Sequence, residues 1–200
     1  MPSPTKTPKK IGVMILPETV LLPGGLLPLF IFEPRYRMML AEALESHRMF
    51  AIGLMRSGRE EVFPVGCAGF VRACVTNPDG TAQLMLQGVE RVHFKEWLEG
   101  AFPCAQVQVL RSEPPPAHSE ESLLGEIRNL CSRLSDEQEE VRSQIETLLE
   151  RTPGLAEFSD LAASTIVHDV AVRQRLLEER DVTSRLAILA AYLVRIVCPD

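Results

Sequence analysis

Three consecutive prolines, Pro114 to Pro116, separate two segments whose hydrophobic periods differ, and that change of period constrains the fold more than any other feature. Proline lacks a backbone N–H and fixes φ, so RSEPPPAHSEE (111 to 121) cannot be helix and reads as a stiff extended connection. Before it, apolar residues fall in short runs: IGVMIL (11 to 16), LPLFIF (27 to 32), MFAIGLM (49 to 55), CAGFVRACVT (67 to 76), TAQLMLQG (81 to 88), ERVHF (90 to 94) and AQVQVL (105 to 110). Short β-type runs separated by turn residues predict a small closed or nearly closed sheet. After the prolines the period becomes helical. Leu123, Ile127, Leu130, Cys131 and Leu134 share one face, and Val141, Ile145 and Leu148 continue it past Ser135, a candidate N-cap.

The strongest local signal in the first segment is CVTNPDGTAQL, where Asn77, Pro78, Asp79 and Gly80 supply turn chemistry between two apolar runs and predict a β-hairpin. One helix interrupts the strands at PRYRMMLAEALESH (34 to 47), with Pro34 suited to its first turn and Met38, Leu40, Ala41 and Leu44 near helical spacing. In the second segment Pro153 and Gly154 break the pattern before Leu155, Phe158, Leu161, Ala162 and Ile166. The last helix starts behind Asp181, an N-cap residue, and carries Val182, Leu186, Leu189, Leu193 and Ile196 as an apolar seam. That seam spans only about two heptads, which favours packing within a bundle over a coiled-coil dimer. The expected organisation is a disordered tail over 1–10, a β domain over 11–112 and a helical bundle over 119–198.

The run VLLPGGLLPLFIFEPRYRM (20 to 38) is apolar but is broken by Pro23 and Pro28, by the pair Gly24 and Gly25, and by charges from Glu33 onward. No stretch reaches the roughly 18 uninterrupted apolar residues of a membrane span, and the first residues lack a signal-peptide core. A cytoplasmic location without membrane association is expected. The net charge of −6 argues against nucleic acid, which calls for a basic face. Lys6, Lys9 and Lys10 sit in a short tail read as passive, and only a clustering of Arg35, Arg37, Arg56, Arg59 and Arg72 would supply such a face. The five cysteines, Cys67, Cys74, Cys104, Cys131 and Cys198, are scattered without C-x-x-C or zinc spacing and read as reduced structural thiols.

Catalytic constellations are missing from the sequence. No glycine is followed by lysine, which excludes a P-loop, and G-x-G-x-x-G, G-x-S-x-G and H-E-x-x-H are absent. His47, His93, His118 and His168 lie far apart, and outside the tail Lys95 is the only lysine. The acidic runs SDEQEE and LEERD read as solvated helix faces and helix starts rather than paired catalytic carboxylates. No cofactor or metal is expected.

MILPETVLLPGGLLPLFIFEPRYRMMLAEAL resembles the opening of the substrate-binding domain at the N-terminus of Lon ATP-dependent proteases. The pattern of strand, Leu-Pro-Gly turn, apolar strand and helix falls on Leu16, Pro17, Leu22, Pro23, Gly24, Leu27, Pro28, Leu29, Phe30 and the helix from Pro34. The likeness continues through MFAIGLM, VGCAGFVRAC and LMLQGVERVHF, with Gly88 and Arg91 in the family's "Gly, x, x, Arg" segment. It extends more loosely into the second half, at Leu176, Leu177, Glu178, Asp181, Arg185 and Leu186. The resemblance implies an α+β chain: a PUA-like β pseudobarrel of six to seven strands with one inserted helix, then an α-helical bundle. Lon proteases continue into ATPase and protease modules, whereas this sequence ends at Asp200, so the implied activity is non-catalytic binding of unfolded polypeptide or of a specific protein partner.

The residues placed first for such binding are Leu21, Leu22, Leu26 and Leu27 around the Pro-Gly turn, where exposed aliphatic area would bind by desolvation. The bland reading of each is that it fills the core. An alternative from another class is a small-molecule or hydrolytic pocket between barrel and bundle, using Arg91, His93 and Glu96. Client identity and oligomeric state are not legible.

Overall fold

The structure is a computed structural model that describes residues 6–56, 58, 61–116, 119–132 and 139–197. Arg59, His118, Leu134, Ser135 and Cys198 lie outside the described residues, as do the side chains of Leu130, Cys131 and Ile196. The chain divides into two compact units, Met1–Leu110 and Arg111–Asp200.

The first unit contains β1 (Lys10–Leu16), β2 (Leu26–Ile31), α1 (Pro34–Glu45), β3 (Met49–Leu54), β4 (Val65–Thr76), β5 (Ala82–Leu98) and β6 (Cys104–Leu110). They form one six-stranded mixed sheet in the order β2-β5-β4-β3-β1-β6, in which β1 and β3 run parallel and the other named pairs antiparallel. All six residues of β3 are buried, as an uninterrupted apolar run between two neighbours should be. Ile11, Val13, Met49, Ala51, Ala68, Val92, Phe94 and Ala105 make the core of this unit. Helix α1 has Pro34 in its first turn and buries Tyr36, Met39, Leu40 and Ala43. The Tyr36 hydroxyl accepts from the Ile15 N–H at 3.1 Å and donates to the Ile15 carbonyl at 3.2 Å, tying α1 to β1.

The expected PUA-like pseudobarrel is corrected: the strands form a mixed sheet that ends at β2, which pairs with β5 alone. Six strands stand where the sequence shows seven apolar runs. TAQLMLQG and ERVHF are one 17-residue strand, β5, because Gly88 does not end it. The first half of β5 pairs with β2 and β4, and its second half pairs with β6 as well. The NPDG turn closes the β4–β5 hairpin, with the Asn77 N–H donating to the Thr81 carbonyl at 2.8 Å and the Gly80 N–H to the Asn77 carbonyl at 2.9 Å. Part of the expected N-terminal tail is held to the sheet, since buried Thr7 donates to the Glu90 carboxylate and the Lys9 carbonyl accepts from Val107.

The second unit contains α2 (Glu120–Ser132), α3 (Glu139–Arg151), α4 (Leu155–Ile166), α5 (Val170–Glu178) and α6 (Val182–Val197). Asp169 and Asp181 cap the last two helices, accepting from the N–H groups of Val172 at 2.9 Å and Ser184 at 2.7 Å. Phe158, Ala162, Ile166, Leu176, Leu177, Val182, Leu186, Leu189 and Leu193 are buried among the helices. The Arg173 guanidinium donates to the carbonyls of Ser164 and Val167, satisfying the end of α4. Arg185 on α6 is wholly buried and pairs with Asp160 of α4 at 3.3 Å.

Candidate functional site

The Pro-Gly turn sets where β2 lies. Pro23 and Gly24 occupy the central positions of a turn in which the Gly25 N–H donates to the Leu22 carbonyl at 3.0 Å. Gly24 has φ of 78°, as the third residue of a type II turn requires. The Gly24 N–H then donates to the Gly88 carbonyl and the Gly88 N–H to the Gly25 carbonyl, both at 2.9 Å. Two residues of one strand thus oppose one of the next, a β-bulge led by a positive-φ glycine. At Gly88 a Cβ would lie 2.1 Å from the Leu22 carbonyl oxygen, so the turn packs directly on the β5 backbone. That approach carries Leu21 and Leu22 inward, to 3% and 1% exposure.

Beyond the bulge, β2 alternates along Leu26, Leu27, Pro28, Leu29, Phe30 and Ile31 between exposed and more buried positions. Leu26, Pro28 and Phe30 point their side chains to solvent, followed by Phe32. The register extends this face across the sheet: Leu26 lies opposite Gln87, Pro28 opposite Met85 and Phe30 opposite Gln83. Those β5 residues lie opposite Phe70, Ala73 and Val75 of β4 respectively. The result is a largely apolar face, crossed by Gln83 and Gln87, in which Leu26 is 61%, Phe30 55%, Phe32 59% and Val75 67% exposed. Phe30 and Phe32 stack with ring centroids 5.9 Å apart. A shallow concavity of about 480 Å³ lies over Pro28, Phe30, Ala73, Val75 and Met85. At the Leu26 end, Arg72 occupies a bulge of β4, holds its guanidinium 5.7 Å from the Phe70 ring and donates to the Gln87 side chain.

Of the four leucines named from the sequence, the structure leaves Leu26 on this face, half-buries Leu27 and encloses Leu21 and Leu22. Phe30, Phe32 and Val75 were not among the candidates. The signal for Phe30 and Phe32 is Pro28, because a proline inside a strand belongs on a sheet edge, and the alternation around it assigns Leu26, Phe30 and Phe32 to one side.

The residues of the enzymatic reading are engaged separately. Arg91 is buried, Glu96 is exposed and accepts from the Gln106 side chain at 2.9 Å, and His93 sits on β5 opposite Val65 and Gln108. Among the described residues no group of three or more His, Cys, Asp or Glu is placed to hold a metal ion. The arginines are likewise engaged locally: Arg35 pairs with Glu33 at 2.8 Å, Arg56 lies over the Phe63 ring, and Arg37 reaches the Gly80 turn. Hydrogen bonds from the Thr81 side chain and backbone hold the Asp79 carboxyl below its usual range, so this acid stabilises its own turn. Burial raises the Cys104 thiol, which suits a structural rather than a reactive cysteine. No helix among the described residues is long and apolar enough to cross a membrane.

Residues 10–195 match the family described as the ATP-dependent protease La (LON) substrate-binding domain. Relatives include the Lon protease of Desulfosudis oleivorans, 24% identical over 194 residues, which cover 90% of this chain and 23% of that protein. The Lon protease of Methylocella silvestris is 26% identical, covering 96% of this chain and 25% of that protein. The chain therefore spans about a quarter of the length of the curated relatives it matches. Among solved structures, the N-terminal domain of Mycobacterium avium complex Lon protease superposes with a TM-score of 0.74 at 18% identity, covering 93% of this chain and 98% of that one. A Lon N-terminal domain protein from Xanthomonas campestris gives 0.65 at 22% identity, covering 92% and 98%. These likenesses concern the fold.

Proposed function

As the chain belongs to the substrate-binding domain family of the ATP-dependent protease La (Lon), we propose that it binds exposed apolar segments of unfolded polypeptides on the outward face of β2, β5 and β4. The observation that carries this reading is the grouping of Leu26, Phe30, Phe32 and Val75, each more than half exposed, on one side of a sheet whose other side is core. Large apolar side chains scattered singly over a surface are ordinary, but a contiguous patch is a recognition surface or an aggregation hazard. The rest of the site suits tolerant recognition. Gln83 and Gln87 give the face polar groups without a fixed charge, and Met85 at its centre is an adaptable side chain. Binding here removes apolar area from water, at roughly 25 cal/mol per Å² before the costs of association.

The test is suppression of aggregation. The purified chain should slow aggregation of a chemically denatured client protein, and Phe32→Ser combined with Val75→Ser should abolish that protection with the circular dichroism spectrum unchanged. Full protection by the folded double variant would sink the assignment of this face.

A further inference from the structure

Resting on the reading above, we propose that the outer edge of β2 takes its client as an added strand: an extended segment of an unfolded polypeptide with apolar side chains at alternate positions. The hydrogen-bond pattern decides which groups are available. The Gly88 N–H bonds the Gly25 carbonyl, and antiparallel ladders alternate bonded and non-bonded pairs. Leu27, Leu29 and Ile31 therefore spend their backbone groups on Leu86, Leu84 and Ala82 of β5. Leu26, Pro28 and Phe30 turn theirs away from β5, and among the described residues no other strand pairs with that side of β2. The edge thus offers N–H and C=O of Leu26, C=O of Pro28, and N–H and C=O of Phe30.

The same three residues carry the exposed side chains. An added strand would place every second side chain beside Leu26, Pro28 and Phe30, continuing the apolar face by one row. Main-chain bonds accept any sequence, and the alternating row selects apolar content, which together fit an unfolded client. A second copy of this chain is the competing occupant. Two β2 edges paired antiparallel about Pro28 would set proline against proline and lose the central donors of both strands, whereas a client of ordinary composition faces one missing donor.

The experiment uses the full chain and a fluorescein-labelled ten-residue peptide of alternating Val and Thr, followed by fluorescence anisotropy. Two analogues carry backbone N-methyl groups, one on three valines and one on three threonines. Strand addition uses the N–H groups of one set only, so one analogue should bind about tenfold more weakly and the other as the parent does. Pro28→Ala, which supplies the missing donor, should tighten the parent peptide severalfold. Equal behaviour of the two analogues, with the parent still bound, would overturn strand addition while leaving face binding intact. Failure of the parent to bind would overturn both. A dimer by sedimentation that Phe30→Ser dissolves and the peptide does not would assign the edge to a second copy and overturn the proposal.

Discussion

Replacing Phe30 by serine separates binding from folding, because its side chain is divided between water and the sheet. A phenylalanine buries about 150–250 Å² when fully enclosed, so a residue 55% exposed retains on the order of 100 Å² for a client to cover. At roughly 25 cal/mol per Å² the ceiling is about 2.5 kcal/mol, and a strand lying along one side of the ring covers about half of it. The expected loss is therefore about 1–1.5 kcal/mol, a five- to tenfold weaker affinity. Stability should fall by about 1–2 kcal/mol, since the serine keeps the backbone bonds and only the buried part of the ring is lost to folding. Leu22 is the matched control. It is 1% exposed, so Leu22→Ala should cost about 2–5 kcal/mol of stability and leave the affinity of the folded fraction unchanged. Anisotropy titration with a reduced, carboxymethylated protein fragment measures the first effect, and urea unfolding the second. If Phe30→Ser bound within twofold of the parent while folded Leu22→Ala bound far more weakly, the assignment of the face would be wrong and the turn would be the contact.

Three further outcomes follow from the interior. Asp160→Ala strips the partner seen at 3.3 Å from the wholly buried Arg185 and should cost about 3–5 kcal/mol in urea unfolding of the helical unit; pairing it with Arg185→Met should recover most of that loss. Gly88→Ala forces a Cβ to within 2.1 Å of the Leu22 carbonyl, and should cost about 1–3 kcal/mol or more and loosen binding by displacing β2. Burial lowers the pKa of His47 below 6.5, so the folded state resists its protonation. Unfolded chains bind that proton first, and stability should fall as pH drops below about 6.5, a dependence that His47→Gln removes in pH-dependent melting.

Features set within a few residues were legible in the sequence. The NPDG hairpin, the start of α1 at Pro34 and the Asp181 cap each rest on local chemistry, and each stands in the structure. The change of period at the triple proline marks the passage from sheet to helices because backbone and side-chain spacing are local properties. What was not legible depends on partners distant in the chain. Leu21 and Leu22 look like an exposed turn until Gly88, more than sixty residues on, admits the Leu22 carbonyl against its backbone. For the same reason Gly88 reads as a break between two strands, whereas it is a point of close approach within one. Arg185 shows the limit in another way. Its spacing from Val182 and Leu189 puts it on the buried side of α6, and its pairing with Asp160 on α4, a residue distant in sequence, bears on why a charge is tolerated there.

The edge of β2 also resolves a conflict between keeping an apolar face exposed and remaining a discrete protein. Open edges with apolar side chains invite unlimited pairing, and natural sheets blunt them with prolines, bulges and charges. β2 carries the first two of these devices: Pro28 removes a donor from the middle of the edge, and the bulge at Gly24 and Gly25 ends its regular pairing on one side. Neither of them covers Leu26, Phe30 or Phe32. An edge tuned only against aggregation would have lost those side chains, because a polar residue at each position is compatible with a strand that is half in water. Retaining the apolar row while weakening the hydrogen-bonding edge favours, under the proposed reading, a partner that stays briefly and leaves.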